Sequence, residues 1–283
     1  MYDAVIIGTG PAGLSAAINL KLHEKNFVWF GSAGYSDKVG KSEKIANYPG
    51  LGLISGNELN QRFFEHAREM GLESTDKKVT NVMPMDDYLM VLADNEVYET
   101  KTLLLATGVL TAKSYEGEDE LLGRGVSYCA TCDGFLYKGK TIAVFCGAPR
   151  YEHEVEYLAG IAEKVYLSAG YPDCKLDLPN VEKITPIKAV KGGMKASQIE
   201  LHGGTVIDID GLFILRNAVA PGTLVPGIET DGPHIVVNRR QETNIPGIYA
   251  AGDCTGRPYQ IAKAVGEGNI AAHEMLEYMA KGK

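Results

Sequence analysis

Cys129 and Cys132 stand three positions apart in the string Cys129-Ala130-Thr131-Cys132-Asp133. Two thiols at this spacing can close a small, strained disulfide. A local positive field lowers the pKa of one thiol and makes it an attacking thiolate at neutral pH. Asp133, the next residue, can relay the proton. Two blander readings stand beside this one. Half of a zinc site needs a second ligand pair, and the chain has no other C-x-x-C and no H-x-H, so no metal centre is expected. The other is a pair of buried structural cysteines. Redox chemistry is the leading reading.

A second constellation is Gly8-Thr9-Gly10-Pro11-Ala12-Gly13. Glycines at this spacing let the chain turn tightly, bring backbone N–H groups to a pyrophosphate and let a helix pack closely on a strand. The pattern carries weight only between a strand and a helix, and that is its context here. The acidic residue that would hold a ribose at the end of the next strand is missing, and Gly31-Ser32 stands there. A third candidate is Gly252-Asp253 ahead of a long helix. Its carboxylate can accept hydrogen bonds from sugar-alcohol hydroxyls, and the helix N-terminus can stabilise a reduced ring. Asp253 reads equally well as a helix N-cap.

These residues need elements to position them. Val5–Ile7 predicts a strand, Leu14–Lys21 a helix and Phe27–Phe30 a second strand, together one βαβ unit. The segment 31–54 is glycine-rich without clear periodicity and reads as a long functional loop. Glu58–Met70 predicts an amphipathic helix, with Leu59, Phe63, Ala67 and Met70 on one face. Lys78–Pro84, Tyr88–Ala93 and Leu103–Leu105 read as strands. The pattern of strand, glycine turn, helix and strand then repeats, with Thr141–Phe145, Cys146-Gly147-Ala148, Glu154–Ala162 and Lys164–Ser168. Strands at Ile235–Val237 and Gly247–Ala251 and a helix at Ile261–Met279 return to the style of the first unit. The fold class expected is α/β, with two Rossmann-like, doubly wound, three-layer domains, the second inserted in the first. The boundaries expected are 1–112 with 219–283 for the first domain and 113–218 for the second. Ala112–Gly117 and Asn217–Gly227 are the candidate hinges.

Composition agrees with two globular domains. The 283 residues are 45% hydrophobic and 23% charged. A formal net charge of −8 argues against a nucleic-acid binder. Apolar stretches such as Leu103–Leu110 are far short of the ~18 residues that span a membrane, and no signal peptide is expected. Five cysteines, an odd number, suit a reducing cytoplasm better than a secreted disulfide scaffold.

Taken together, the residues resemble the low-molecular-weight thioredoxin reductases over nearly the whole chain. Gly8, Gly10, Pro11, Ala12 and Gly13 lie in what looks like the family's FAD pyrophosphate loop. Asn47-Tyr48-Pro49-Gly50 resembles its flavin-side loop, and Ala106-Thr107-Gly108 its A-T-G strand end. Ala251-Gly252-Asp253 resembles the segment holding the ribityl chain, and Gln260-Ile261-Ala262 the one facing the flavin ring. Cys129-Ala130-Thr131-Cys132-Asp133-Gly134 matches the redox dithiol with its adjacent acid. The resemblance implies that FAD reduces Cys129–Cys132 and that the dithiol reduces thioredoxin. It makes Cys132 the flavin-proximal thiol, Cys129 the attacking one and Asp133 the acid/base. It also implies a homodimer whose second domain rotates about two linkers.

The second domain departs from that family. NADPH is bound there through a G-G-G-x-x-A turn and a later H-R-R cluster. Here the turn is Cys146-Gly147-Ala148-Pro149-Arg150-Tyr151, and Ala169-Gly170-Tyr171 stands where the arginines would hold a 2′-phosphate. The chain is therefore most similar to the ferredoxin-dependent flavin thioredoxin reductases, which lack the NADPH motifs. That resemblance implies ferredoxin as electron donor, docked on a basic patch for which Lys38, Lys41 and Lys44 are candidates, though they read equally as a solvated charge run. The rival readings are an NADPH-dependent reductase with an atypical site, the same scaffold fed by another donor, and a flavin redox sensor without turnover.

Overall fold

The computed structural model describes all residues except 33–35, 95, 110–114, 217–220 and 283, and it leaves the side chains of Asp37, Asp119 and Cys132 undescribed. Packing divides the chain into two units, Met1–Leu110 with Ala220–Lys283, and Thr111–Val219.

The first unit opens with β1 (Tyr2–Ile7), α1 (Pro11–Leu22) and β2 (Phe27–Phe30). Ala4 to Ile7 are all buried, the unbroken apolar run of a central parallel strand. Pro11 starts α1, where its missing N–H costs nothing. The segment read as a loop contains a short helix, α2 (Asp37–Gly40), and closes on itself where Ile45 and Ile54 exchange backbone hydrogen bonds. Then come α3 (Gly56–Glu69), β3 (Val79–Pro84), β4 (Leu89–Ala93) and β5 (Glu96–Leu105). Ser55 caps α3 by accepting the Glu58 N–H. β5 is longer than Leu103–Leu105 predicted, because one strand serves two pairings. Its first half runs antiparallel to β4, and its buried second half runs parallel to β1.

The second unit contains α4 (Glu118–Leu121), β6 (Val126–Ser127), α5 (Ala130–Asp133), β7 (Thr141–Cys146), α6 (Glu152–Ile161), β8 (Lys164–Ala169) and β9 (Val181–Lys183). A meander of β10 (Ile187–Gly192), β11 (Ala196–Leu201) and β12 (Val206–Asp208) precedes β13 (Gly211–Leu215). A parallel sheet runs in the order β6-β13-β7-β8-β9. Alternate residues of β7 serve its two faces. Ile142 and Val144 pack with Val155 and Leu158 of α6, whereas Ala143 packs with Ile187, Val190 and Ile199 of the meander. The second face is thus covered by antiparallel strands rather than by the helices a doubly wound domain implies.

The chain re-enters the first unit through α7 (Pro221–Leu224), β14 (Thr230–Asp231), β15 (His234–Ile235), β16 (Ile248–Ala250) and α8 (Ile261–Ala280). β15 stops short of the predicted Val237. β16 pairs in parallel with β5. Small residues line the core between α1 and α8: Ala12, Ala16 and Ala17 on one, Ala264, Ala271 and Ala272 on the other. Of the candidate hinges, 112–114 and 217–220 lie outside the described residues, while 221–224 form α7.

Candidate active site

The first unit builds a cradle at the carboxyl end of its parallel strands. β1 delivers the chain into the turn Gly8–Gly13, pinned by Gly8 N–H donating to Phe30 O at 2.8 Å and by Trp29 Nε1 donating to Gly8 O at 2.9 Å. Gly13 is there for contact, since a Cβ would sit 1.9 Å from Gly8 O. Gly10 is different: a Cβ there would meet nothing within 4 Å. Gly10 is also the N-cap of α1, without a side-chain cap and without an acid in the first turn. The first N–H groups of α1 therefore face open space with their positive end exposed. That is a fit for a pyrophosphate. At the end of β2, Thr9 Oγ1 donates to Ser32 O at 3.0 Å.

Other expected cofactor residues gather around this cradle. Ala106 N–H donates to Ile7 O, and Ala251 N–H to Leu105 O, so both segments extend the sheet edge beside the turn. Asn47 Nδ2 donates to Gln260 Oε1 at 2.5 Å. Ile261 packs with Tyr48 against Val39, Ile45, Ile54 and Leu59, joining the flavin-side loop to the start of α8. Ala262 is exposed in the first turn of α8, whose N-cap, Gln260, makes no side-chain capping bond. Asp253 is not that cap. It opens a separate 3₁₀ turn, Asp253–Thr255, and its carboxylate is ion-paired with Lys38 Nζ at 2.5 Å. Lys38 also lies 4.5 Å from the centre of the Tyr259 ring. Of the three lysines proposed as a docking patch, one is thus engaged at the site, and Lys41 and Lys44 stay exposed. Thr107 and Gly108 follow Ala106, with Thr107 Oγ1 3.5 Å from Gly108 O.

Sequence reasoning missed the support beneath the Gly252-Asp253 turn. Lys263 Nζ donates to Gly252 O at 2.8 Å, Gly256 O at 2.9 Å and Thr255 Oγ1 at 3.0 Å. Glu267 Oε2 accepts from Gly252 N–H at 2.8 Å and pairs with Lys263 at 3.0 Å. One helical turn of α8 thereby holds Gly252, Thr255 and Gly256 of the loop. A Lys and a Glu four residues apart on a helix signal only a surface pair.

The second unit carries the dithiol segment. Cys129 is disulfide-bonded, and Cys146, Cys174 and Cys254 are free thiols. The backbone of Cys132 lies in the single turn of α5, and its side chain is outside the described part. Asp133 closes that turn, its N–H donating to Cys129 O at 3.3 Å. Its Oδ2 accepts a hydrogen bond from Ser127 Oγ at 2.6 Å. The preceding residue is anchored from behind. Tyr128 OH donates to Glu118 Oε1 at 2.6 Å, Tyr115 N–H to Glu118 Oε2 at 2.8 Å, and Arg216 forms a buried ion pair with Glu118. Neither charge is reachable by water, so each depends on the other.

The second glycine turn is closed by protein side chains. Residues 149–151 form a 3₁₀ turn ahead of α6, and Tyr151 is buried. The first turn of α6 carries Glu152 and Glu154, which repel an anion. Tyr171 reaches across from the end of β8. Its hydroxyl donates to Glu152 Oε1 at 2.5 Å and lies 3.4 Å from Cys174 Sγ and 3.8 Å from Cys146 Sγ. Burial, with the neighbouring thiols and Glu152, raises the Tyr171 pKa, and burial raises that of Cys146. The cation of this turn, Arg150, is engaged by Tyr151: it donates to the Tyr151 hydroxyl at 3.2 Å and its guanidinium lies 5.1 Å from the ring centre.

Comparison with known proteins agrees with this geometry. The family model described as pyridine nucleotide-disulphide oxidoreductase matches residues 2–149 and 180–268. The match lapses over residues 150–179, which include Tyr151 and Tyr171. A thioredoxin reductase of Listeria monocytogenes is 30% identical over 100% of this chain and 95% of that protein. A ferredoxin-flavin thioredoxin reductase from Clostridium acetobutylicum superposes with a TM-score of 0.91 at 43% identity, covering 99% of this chain and 98% of that one. A thioredoxin reductase from Gloeobacter violaceus gives 0.82 at 28% identity, over 100% and 95%. This chain belongs to the pyridine nucleotide-disulphide oxidoreductase family, and within it to the thioredoxin reductases, FAD-dependent disulfide oxidoreductases.

Proposed function

We propose that the enzyme reduces thioredoxin through FAD and the Cys129–Cys132 dithiol, with electrons from reduced ferredoxin in place of NADPH. The observation that carries the choice of donor is the Tyr171–Glu152–Cys146 cluster, which stands where a dinucleotide phosphate would need donors and cations. The likeness to the Clostridium acetobutylicum enzyme supports the same reading. When bound, FAD collects electrons and passes a pair to the disulfide. Gly10 and the open N-terminus of α1 would hold its pyrophosphate, Asp253 its ribityl hydroxyls, and Asn47 with Gln260 its ring.

The roles of the thiols in this reading are those the family resemblance implies. The Cys129 thiolate attacks the disulfide of thioredoxin. That S–S bond breaks, a mixed disulfide forms, and the departing thiolate takes a proton. Cys132 then gives its proton to Asp133 and attacks Cys129 Sγ. The mixed disulfide breaks, the internal disulfide closes, and the second thioredoxin sulfur leaves with the proton from Asp133. Two electrons have moved to thioredoxin.

The surface beside α5 suits such a partner. Phe135 and Leu136 directly follow the dithiol turn and are 64% and 54% exposed. A cleft of about 330 Å³ beside Leu136 is lined by three cations, Arg124, Lys140 and Lys195, against one acid, Asp210, with Met194 among them. Apolar contact within a rim of cations favours an acidic partner with an apolar tip. We assign the enzyme to the cytoplasm as a homodimer. No described helix is long and apolar enough to cross a membrane.

The test is anaerobic. The FAD-loaded enzyme is mixed with excess NADPH, and separately with reduced ferredoxin, while flavin absorbance is followed. Bleaching by ferredoxin alone, with colour restored by oxidised thioredoxin, is the expected result. Prompt bleaching by NADPH would establish the atypical NADPH-dependent reductase instead. Bleaching by neither would remove ferredoxin as donor.

A further inference from the structure

We propose that Ser127 is a positioning residue for Asp133, holding the carboxylate that exchanges the dithiol proton in register with Cys129. The inference rests on the dithiol reading above and extends it to a residue outside the C-x-x-C-D string.

Ser127 ends β6 and is 5% exposed. The strand fixes its backbone, since Ser127 pairs with Phe213 of β13. Its hydroxyl has three neighbours: Asp133 Oδ2 at 2.6 Å, the Cys129 amide nitrogen at 3.1 Å and Cys129 O at 3.3 Å. A hydroxyl has one proton to give. The carboxylate is nearer and charged, so it takes the proton, in the range of a charge-assisted O–H···O⁻ bond. An oxygen lone pair is then free to accept the Cys129 N–H. One oxygen atom thus ties the acid to the backbone of the attacking cysteine.

The consequence concerns the proton. Asp133 turns about two side-chain bonds. With Oδ2 fixed, Oδ1 is left to receive the proton from the thiol and return it to the leaving sulfur. Without the hydroxyl, the carboxylate samples orientations that do not face the dithiol, and the partly buried Cys129 N–H loses an acceptor. Substrate binding is untouched, because Ser127 is sealed from solvent.

The experiment uses FAD-loaded enzyme reduced with dithionite and mixed with oxidised thioredoxin, so the natural donor plays no part. Ser127→Ala is expected to lower the limiting rate about tenfold, with the half-saturating thioredoxin concentration within about twofold. Ser127→Thr, which keeps the hydroxyl, restores the rate to within about threefold. The double variant Ser127→Ala/Asp133→Asn is no slower than Asp133→Asn alone, because the serine acts through the aspartate. If alanine costs the fold, Ser127→Cys takes its place with the same expectation. A wild-type rate in Ser127→Ala, failure of threonine to rescue, or losses that multiply in the double variant would each overturn the proposal. Retention of activity by Cys129→Ser would overturn the dithiol reading itself, and is a separate result.

Discussion

The side chains of Asn47 and Gln260 meet at 2.5 Å although 213 residues separate them. One comes from the flavin-side loop and the other from the N-cap of α8. Their amides join two segments that carry the expected ring contacts. If both serve one bound ring, their effects on it are coupled.

The coupling is measurable as FAD affinity. Asn47→Ala and Gln260→Ala should each weaken FAD about three- to tenfold, at about 0.5–1.5 kcal/mol per hydrogen bond. The double variant should lose less than the product of the two. Equilibrium titration of apoprotein by flavin fluorescence gives all three values. Multiplicative losses would mean that the amides act independently.

Gly10 and Gly13 separate two reasons for a glycine in the same turn. Gly13→Ala places a methyl 1.9 Å from a backbone carbonyl and should destabilise the apoprotein itself. At Gly10 a Cβ meets nothing within 4 Å, so Gly10→Val starts into open space. It should melt near the wild-type temperature as apoprotein, yet lose FAD affinity by at least tenfold, because its side chain enters the space before α1. Thermal melts with and without FAD distinguish the two. Equal FAD affinity in Gly10→Val would place the pyrophosphate elsewhere.

The glycine turns were legible because their chemistry is local. Strand, turn and helix are consecutive, so Gly8 to Gly13 can be read in one window. The departure from the glycine pattern at Cys146–Tyr151 was legible for the same reason. What fills that site was not, because Tyr171 reaches Glu152 across 19 positions and two strand ends. Ser127 escaped notice because a serine six residues before an aspartate has no signature, and only the turn of α5 brings them together. The Glu118–Arg216 pair spans 98 positions. The meander β10–β12 was missed because a register shift after Ile187 buries Ala189 and Val190 in succession, which breaks the strand alternation of β10.

Cys254 supports a prediction about pH. Its thiol is fully buried, with Ala251 O at 3.2 Å and Leu105 O at 3.3 Å as the two acceptors for its one proton. Burial pushes its pKa up to about 12 from an ordinary value of 9.0. The folded protein therefore keeps this proton over a range in which the unfolded chain has released it. Below pH 9 both states are protonated, and the contribution of Cys254 is fully present. Between pH 9 and 12 the unfolded state binds fewer protons, so stability falls as pH rises, by at most about 1.4 kcal/mol per unit from this group. Cys254→Ser retains a hydroxyl donor that does not titrate in this range. Its melting temperature should fall less steeply than wild type between pH 9 and 11, and the two should run parallel between pH 7 and 8. The same burial makes the thiol unreactive. Folded wild-type protein treated with iodoacetamide at pH 8 should show Cys174, which is partly exposed, alkylated well before Cys254. Early modification of Cys254, followed by peptide mass spectrometry, would mean that the β16–α8 turn opens readily despite the hold of Lys263 and Glu267.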